Sequence, residues 1–211
     1  MTNSRGEREW GILVMRFRSH LLWRGLAVLV LTALFVSGEI ALNHSQAEAA
    51  DPPEIVDPRP SHDRPVSEVP VSWTPQILDG TTLDMAKVGD TVVVGGTFSE
   101  IAPSAGTPTL NRTNVFAFSS TNGAINTNFA PDVFNGQVRA VEPGPTPDTV
   151  YLGGSFSGVN GVTRKLVLID INDGELISDF TAPTMNGAVN DIQRIGDRLY
   201  VGGVFTRVGN Q

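Results

Sequence analysis

The chain has 211 residues, 40% of them apolar, with 22 Gly, 14 Pro, no Cys and a formal net charge of −7. High Gly and Pro with few helix-forming runs mark a turn-rich β protein. The lack of Cys excludes disulfides and thiolate chemistry, and the acidic balance without a basic stripe argues against nucleic acid as a partner.

Residues 1–49 are unlike the rest. Arg5, Arg8, Arg16, Arg18 and Arg24 precede an apolar run from Leu26 to Val36, and small residues with the A-x-A pattern Ala47-Glu48-Ala49 follow. This is the layout of a secretory signal peptide with its helical apolar core, cleaved near Ala47 and Ala49. The apolar run is short for a membrane span of about 20 residues; an uncleaved N-terminal anchor is the alternative. Met15 would start a more ordinary leader than Met1. Residues 50–75 are a proline-rich linker, in which proline blocks helix and central strand and favours extended chain. Trp73 at its end is expected to dock the linker onto the first repeat.

From residue 76 the chain says one phrase three times. It reads TVVVGGTF at Thr91–Phe98, TVYLGGSF at Thr149–Phe156 and RLYVGGVF at Arg198–Phe205, each after a Gly-Asp or Pro-Asp turn. Such a repeat means a propeller or solenoid. The stretch 101–112 of the first unit is longer than its counterpart 159–164, a loop insertion that leaves the strand register intact. Each unit divides into four candidate strands, in the second unit roughly 137–142, 149–156, 165–171 and 175–180, separated by Pro-Gly, Asn-Gly and Asp-Gly turn signals. Leu166 to Ile169 run without polar interruption, so this strand should pack on both faces.

The expectation is an all-β fold, a partial β-propeller of four-stranded antiparallel blades over about two and a half repeats. The blades fall at about 76–136, 137–187 and, incomplete, 188–211. Gly95, Gly96, Gly153, Gly154, Gly202 and Gly203 are read as bulge or close-approach glycines, because a phosphate-cradling loop would lie before a helix. Phe98, Phe156 and Phe205 are read as packing residues between blades. An unclosed ring and an incomplete last blade make the chain an expected N-terminal portion of a longer protein.

Catalytic candidates are few. His20, His44 and His62 all precede the repeats, which removes His-based nucleophilic catalysis and His-based zinc from the β region. Asp170 to Glu175 resembles a calcium loop, but its Gly is at the fifth position and Thr181 stands where a bidentate Glu would be needed. The counterpart from Ser119 to Gly123 has no carboxylate, so a hairpin turn accounts for both. Asp179 and Asp191 are candidate acid and base, with nothing in the sequence to bring them together. The reading has no catalytic, cofactor-binding or metal residues and no cofactor.

The phrase V-x-G-G-x-F, a following strand that ends in D-x-x-x-G, and a segment near F-x-A-P together resemble the delta-60 type β-propeller repeat. That repeat belongs to secreted and surface proteins of bacteria, particularly actinobacteria. The resemblance covers about residues 76–211, and quinoprotein-type propellers are more loosely similar. The first unit departs from the pattern, with Ser119 where the second has Asp170. The resemblance implies a secreted or cell-surface repeat scaffold without catalysis, whose rim loops, above all 101–112, bind a carbohydrate, wall polymer or protein. The alternative is part of a propeller enzyme, a quinoprotein-like dehydrogenase or a glycan hydrolase or lyase. Contact with membrane would come only through an uncleaved N-terminal segment. The sequons at Asn43 and Asn111 carry little weight in a protein of the bacterial kind that the resemblance implies.

Overall fold

The computed structural model describes residues 11–16, 71–104 and 108–210. The chain divides into two compact units, Met1–Arg18 with Val69–Gln211 and, separately, Ser19–Glu68. Every described residue belongs to the first. Ala47, Ala49, the three histidines and most of the expected leader and linker lie outside the described residues.

The described residues form strands, turns and loops and no helix; the protein is all-β. An N-terminal strand, β1 (Gly11–Arg16), comes first. The first repeat holds β2 (Gln76–Ile77), β3 (Thr82–Val88), β4 (Thr91–Gly96), β5 (Glu100–Ala102), β6 (Leu110–Asn111) and β7 (Val115–Ser119). The second holds β8 (Val133–Phe134), β9 (Val138–Pro143), β10 (Thr149–Gly154), β11 (Gly158–Val159) and β12 (Leu166–Asp170), and the third β13 (Val189–Ile195) and β14 (Arg198–Gly203).

Three antiparallel sheets carry the repeat, in the orders β3-β4-β7, β9-β10-β12 and β13-β14-β1. The recurring phrase supplies the middle strand each time, because its β-branched run fits a pleat buried on both faces. Gly89 and Gly196 have φ of 57° and 60° and close the two-residue turns that lead into β4 and β14. The insertion leaves the register alone. Gly95 pairs with Val115 and Gly153 with Leu166, so the same ladder is reached across connections of different length.

Packing joins the sheets in series. Strand β9 touches β3 on one side and β13 on the other. Val93, Val115 and Ala117 of the first sheet share a core with Val138, Val141, Val150, Leu152, Val167 and Ile169 of the second. Tyr151, Leu166 and Leu168 of the second share another with Val189, Ile192, Leu199 and Val201 of the third. Strand β12 therefore packs on both faces, alternate residues facing opposite neighbours. Each fully buried aliphatic side chain contributes roughly 1.5–3 kcal/mol, so these two cores are the main source of stability in a chain without disulfides.

The fold corrects two expectations. The fourth strand of each sheet shrinks to one bridge, Phe118 with Ile125 and Ile169 with Leu176. In the first repeat Asn126 Oδ1 accepts the N–H groups of Asn128 and Phe129, and in the second Phe180 N–H turns back to the Ile177 carbonyl. Both turns withdraw the backbone from the ladder. The third repeat, expected to lack its third strand, has one: β1, from the stretch read as leader, pairs with β14 along Gly11 to Arg16. Two small sheets, β2-β5-β6 and β8-β11, were not anticipated.

Candidate functional site

The signature glycines divide into two roles. A Cβ at Gly96, Gly154 or Gly203, the second of each pair, would meet a carbonyl oxygen of its own repeat, at 2.1, 2.0 and 2.1 Å. The ring of Phe98, Phe156 or Phe205 in turn stands over that glycine, with Cδ1 at 2.9, 2.7 and 2.9 Å from the same point. All three rings are buried. The pairing partner bulges here, between Thr82 and Asp84, between Val138 and Ala140, and between Val189 and Asp191, which brings the backbones together. The second glycine thus serves the inside of a repeat.

The first glycine serves the next repeat. A Cβ on Gly95 would meet Val138 Cγ1 at 2.5 Å and Val141 Cγ2 at 2.9 Å; on Gly153 it would meet Val189 Cγ1 at 2.5 Å and Ile192 Cδ1 at 2.8 Å. On Gly202 it finds, among the described residues, only Asp191 Cβ, at 3.8 Å. Among the described residues no following sheet covers Gly202, and Tyr200 nearby is half-buried where its counterpart Tyr151 is fully buried. At the other end of the series Met85, the counterpart of Val141 and Ile192, is 59% exposed.

Polar side chains stitch the same seams. Asp84 Oδ2 accepts the Val141 N–H at 2.7 Å, and Glu142 Oε1 accepts the Arg194 N–H at 2.7 Å. Arg139 Nη1 donates to Asn190 Oδ1 at 2.9 Å. Burial pushes the Glu142 carboxyl above its ordinary range; the Arg194 amide and guanidinium pull the other way, and Asp84 and Asp191 add to the rise. The Asp84 and Glu142 carboxylates accept backbone N–H groups of the adjoining sheet, and Arg139 reaches a side chain there, so all three bonds serve the seam. Asp179 and Asp191 fall on different elements, Asp179 in a turn and Asp191 on β13, and both are exposed. Among the described residues no three His, Asp or Glu side chains gather as a metal site.

The two repeat turns share one construction. Gly123 and Gly174 have φ of 74° and 80°, and their N–H groups bond the carbonyls of Ser119 and Asp170, both at 2.9 Å. Asp170 Oδ1 accepts from Asn172 N–H at 2.7 Å, while Ser119 Oγ meets Thr121 Oγ1 at 2.8 Å. Ser119 and Asp170 therefore do the same local work, which accounts for the departure between repeats. Trp73 lies against this first turn: a Cβ on Gly123 would meet the Trp73 carbonyl at 2.0 Å and Cε3 at 2.8 Å.

The described parts of the insertion join a small sheet. Strands β5 and β6 pair with each other, and β5 also pairs with β2. Asp79 braces it, accepting from Ser99 Oγ at 2.6 Å and from the N–H groups of Ser99 and Glu100, both at 2.8 Å. The Ser99 bonds, hydroxyl first, hold the Asp79 carboxyl below its ordinary range. Between the end of the insertion and the next repeat lies a polar cleft of about 180 Å³ lined by Asn111, Arg112, Thr113, Ala130, Pro131 and Asp132. A second cavity, of about 330 Å³ and more apolar, opens beside Arg164, Leu166, Leu168, Phe180 and Ala182. The sequence marked the insertion as a contact region. It did not mark Ala130 to Asp132, which come close only through the folding of the following repeat.

Comparison of the chain with known protein families, with curated proteins and with solved structures finds no match to any.

Proposed function

We propose that this chain is a secreted or cell-surface, non-catalytic repeat scaffold of the β-propeller type, related to the delta-60 repeat. It binds a carbohydrate, wall polymer or protein through its rim loops. The polar cleft between the insertion and the next repeat carries this reading. A loop braced into a small sheet holds Asn111 and Thr113 exposed at fixed positions opposite Asp132. Pre-formed polar recesses on rigid supports suit hydroxyl-rich or peptide ligands. The propeller form is supported by the repeated seam, in which one glycine receives two aliphatic side chains of the next sheet. Closing the ring would use further units that seat the same contact on Gly202.

The test is binding of the full chain to a glycan array, to isolated wall polymer and to bacterial cells. The double variant Asn111→Ala/Asp132→Ala should lose binding at an unchanged urea midpoint. Absence of binding to all three surfaces, or full retention in the double variant, would overturn the reading.

A further inference from the structure

The two cavities occupy one repeat position. Asn126 and Ile177 donate their N–H groups to the Ala117 and Leu168 carbonyls, so the returning segments of the two repeats match residue for residue. Thr127 and Ser178 are then counterparts, as are Pro131 and Ala182 on the far walls. Arg112 and Arg164 supply the near walls, each just ahead of the third strand. The arginines differ in what they have already bound. Each places Nη1 on the carbonyl of the residue before it, Asn111 or Thr163, at 2.8 Å. Each keeps Nε buried without a partner. Arg112 also sends Nη2 across the gap to the Thr127 carbonyl, at 2.9 Å. Among the described residues Arg164 makes neither such a bond to Ser178 nor any ion pair. The first cavity is accordingly about 180 Å³ and polar. The second is about 330 Å³, with the apolar side chains of Leu166, Leu168, Leu176, Phe180 and Ala182 in its lining. Backbone holds that second gap open. Phe180 N–H takes the Ile177 carbonyl, so the ladder ends at Leu168, and by parity Leu166 turns its N–H and C=O to the same flank.

We propose that this second cavity binds the carboxylate of an acylated aliphatic amino acid, free or at the end of a peptide. Nε–H and Nη2–H point along one edge of a guanidinium, the edge that grips a carboxylate through two parallel bonds. That edge is intact in Arg164 and closed in Arg112. A cation without an ion pair beside an apolar recess selects an anion with an apolar body over a neutral sugar. The neighbouring carboxylate, Asp179, is exposed and takes the Ser178 hydroxyl at 3.4 Å rather than Arg164. A recess of this size is near the lower bound for small-molecule sites, with room for a side chain of leucine size and its acyl group. The Leu166 backbone lies on the flank where the ligand's amide would pair. This site is separate from the polar cleft of the first repeat, whose arginine is already engaged.

Calorimetry on the full chain tests this with N-acetyl-leucine, N-acetyl-leucinamide and a pentapeptide ending in leucine. The acid should bind, and the amide at least about tenfold more weakly, the worth of a charge-assisted pair. Arg164→Gln should weaken the acid by a similar factor at an unchanged urea midpoint. Arg164→Lys should recover only part, having the charge without the edge. Amide shifts in NMR spectra of the acid complex should cluster at residues 164–168 and 176–182. Tighter binding of the pentapeptide than of the acid would assign the source as a peptide terminus, and equal binding a free acylamino acid. Equal affinity for acid and amide, or full binding in Arg164→Gln, would overturn the carboxylate assignment. No binding of any probe at about 10 mM would overturn the site itself.

Discussion

Gly153 and Gly202 stand at the same repeat position and live in different surroundings. Gly153 is enclosed by Val189 and Ile192 of the following sheet, whereas Gly202 has no following sheet against it among the described residues. Tyr151 and Tyr200, two residues earlier, repeat the contrast. The difference teaches that a repeat signature mixes two kinds of constraint. The second glycine is needed by the backbone of its own repeat, and the phenylalanine also enters the core shared with the preceding sheet at Phe156 and Phe205. The first glycine is needed only where another sheet follows.

This separation can be broken by substitution. The largest effect is expected at the second glycines, where rigid backbone cannot yield: Gly154→Ala and Gly203→Ala should each cost about 3 kcal/mol, read from urea denaturation. Gly153→Ala meets side chains that can shift and should cost about 2 kcal/mol. Gly202→Ala should stay within about 0.5 kcal/mol. Equal costs at Gly153 and Gly202 would abolish the distinction. Polar groups sharpen it. Asp84→Ala leaves the Val141 N–H at the seam without its acceptor and should cost about 1–3 kcal/mol, whereas its counterpart Asp191 is exposed and Asp191→Ala should change little.

The same seam predicts a pH dependence. The folded chain raises the Glu142 carboxyl above its ordinary value of 4.5, mainly by burial. Over that window the native state keeps a proton that the unfolded chain has lost, so stability falls as pH rises from 4.5 through the raised value and then levels. Glu142→Gln keeps an oxygen for the Arg194 N–H and should flatten this fall, seen as urea midpoints that converge with the parent's at the acid end. A small effect of opposite sign is expected at Tyr151, whose buried hydroxyl finds no hydrogen-bond partner. Tyr151→Phe should be neutral or stabilising by up to about 1 kcal/mol. The parent, its phenol pushed up to about 12 by burial, should lose stability above pH 10 as the unfolded chain ionises first, and the variant should lose less.

The strands around the repeated phrase were legible because alternation and turn residues act locally: Thr149–Gly154 and Leu166–Asp170 lie within the stretches read from the sequence. The glycine pairs were legible as bulge or close-approach positions, since glycine inside a strand has few other uses; the extra residue lies on the strand opposite each pair. The reduction of Glu175 to Phe180 to one bridge was not, because the turn at Phe180 competes with the ladder by a backbone bond that composition does not show. Nor was β1. Gly11 to Arg16 sit among arginines ahead of an apolar run, and the reading of that stretch as a leader follows from its neighbours in sequence, while its pairing follows from a neighbour in space. The polar cleft was half legible: the insertion stands out by its length, and its opposite wall only through the fold.

The pairing of β1 with β14 also sets an order of events during folding. The other strand pairs of the three repeat sheets join segments within a single repeat, so the first two sheets can form as each repeat emerges. Strand β1 precedes the first two repeats, and its partner β14 follows them. The third sheet must therefore wait for a contact that spans both of the first two repeats, and contacts of such separation are slow to form. Until that contact forms, Leu199 and Val201 present their unpaired edge, and chaperones or other chains would have their opportunity there.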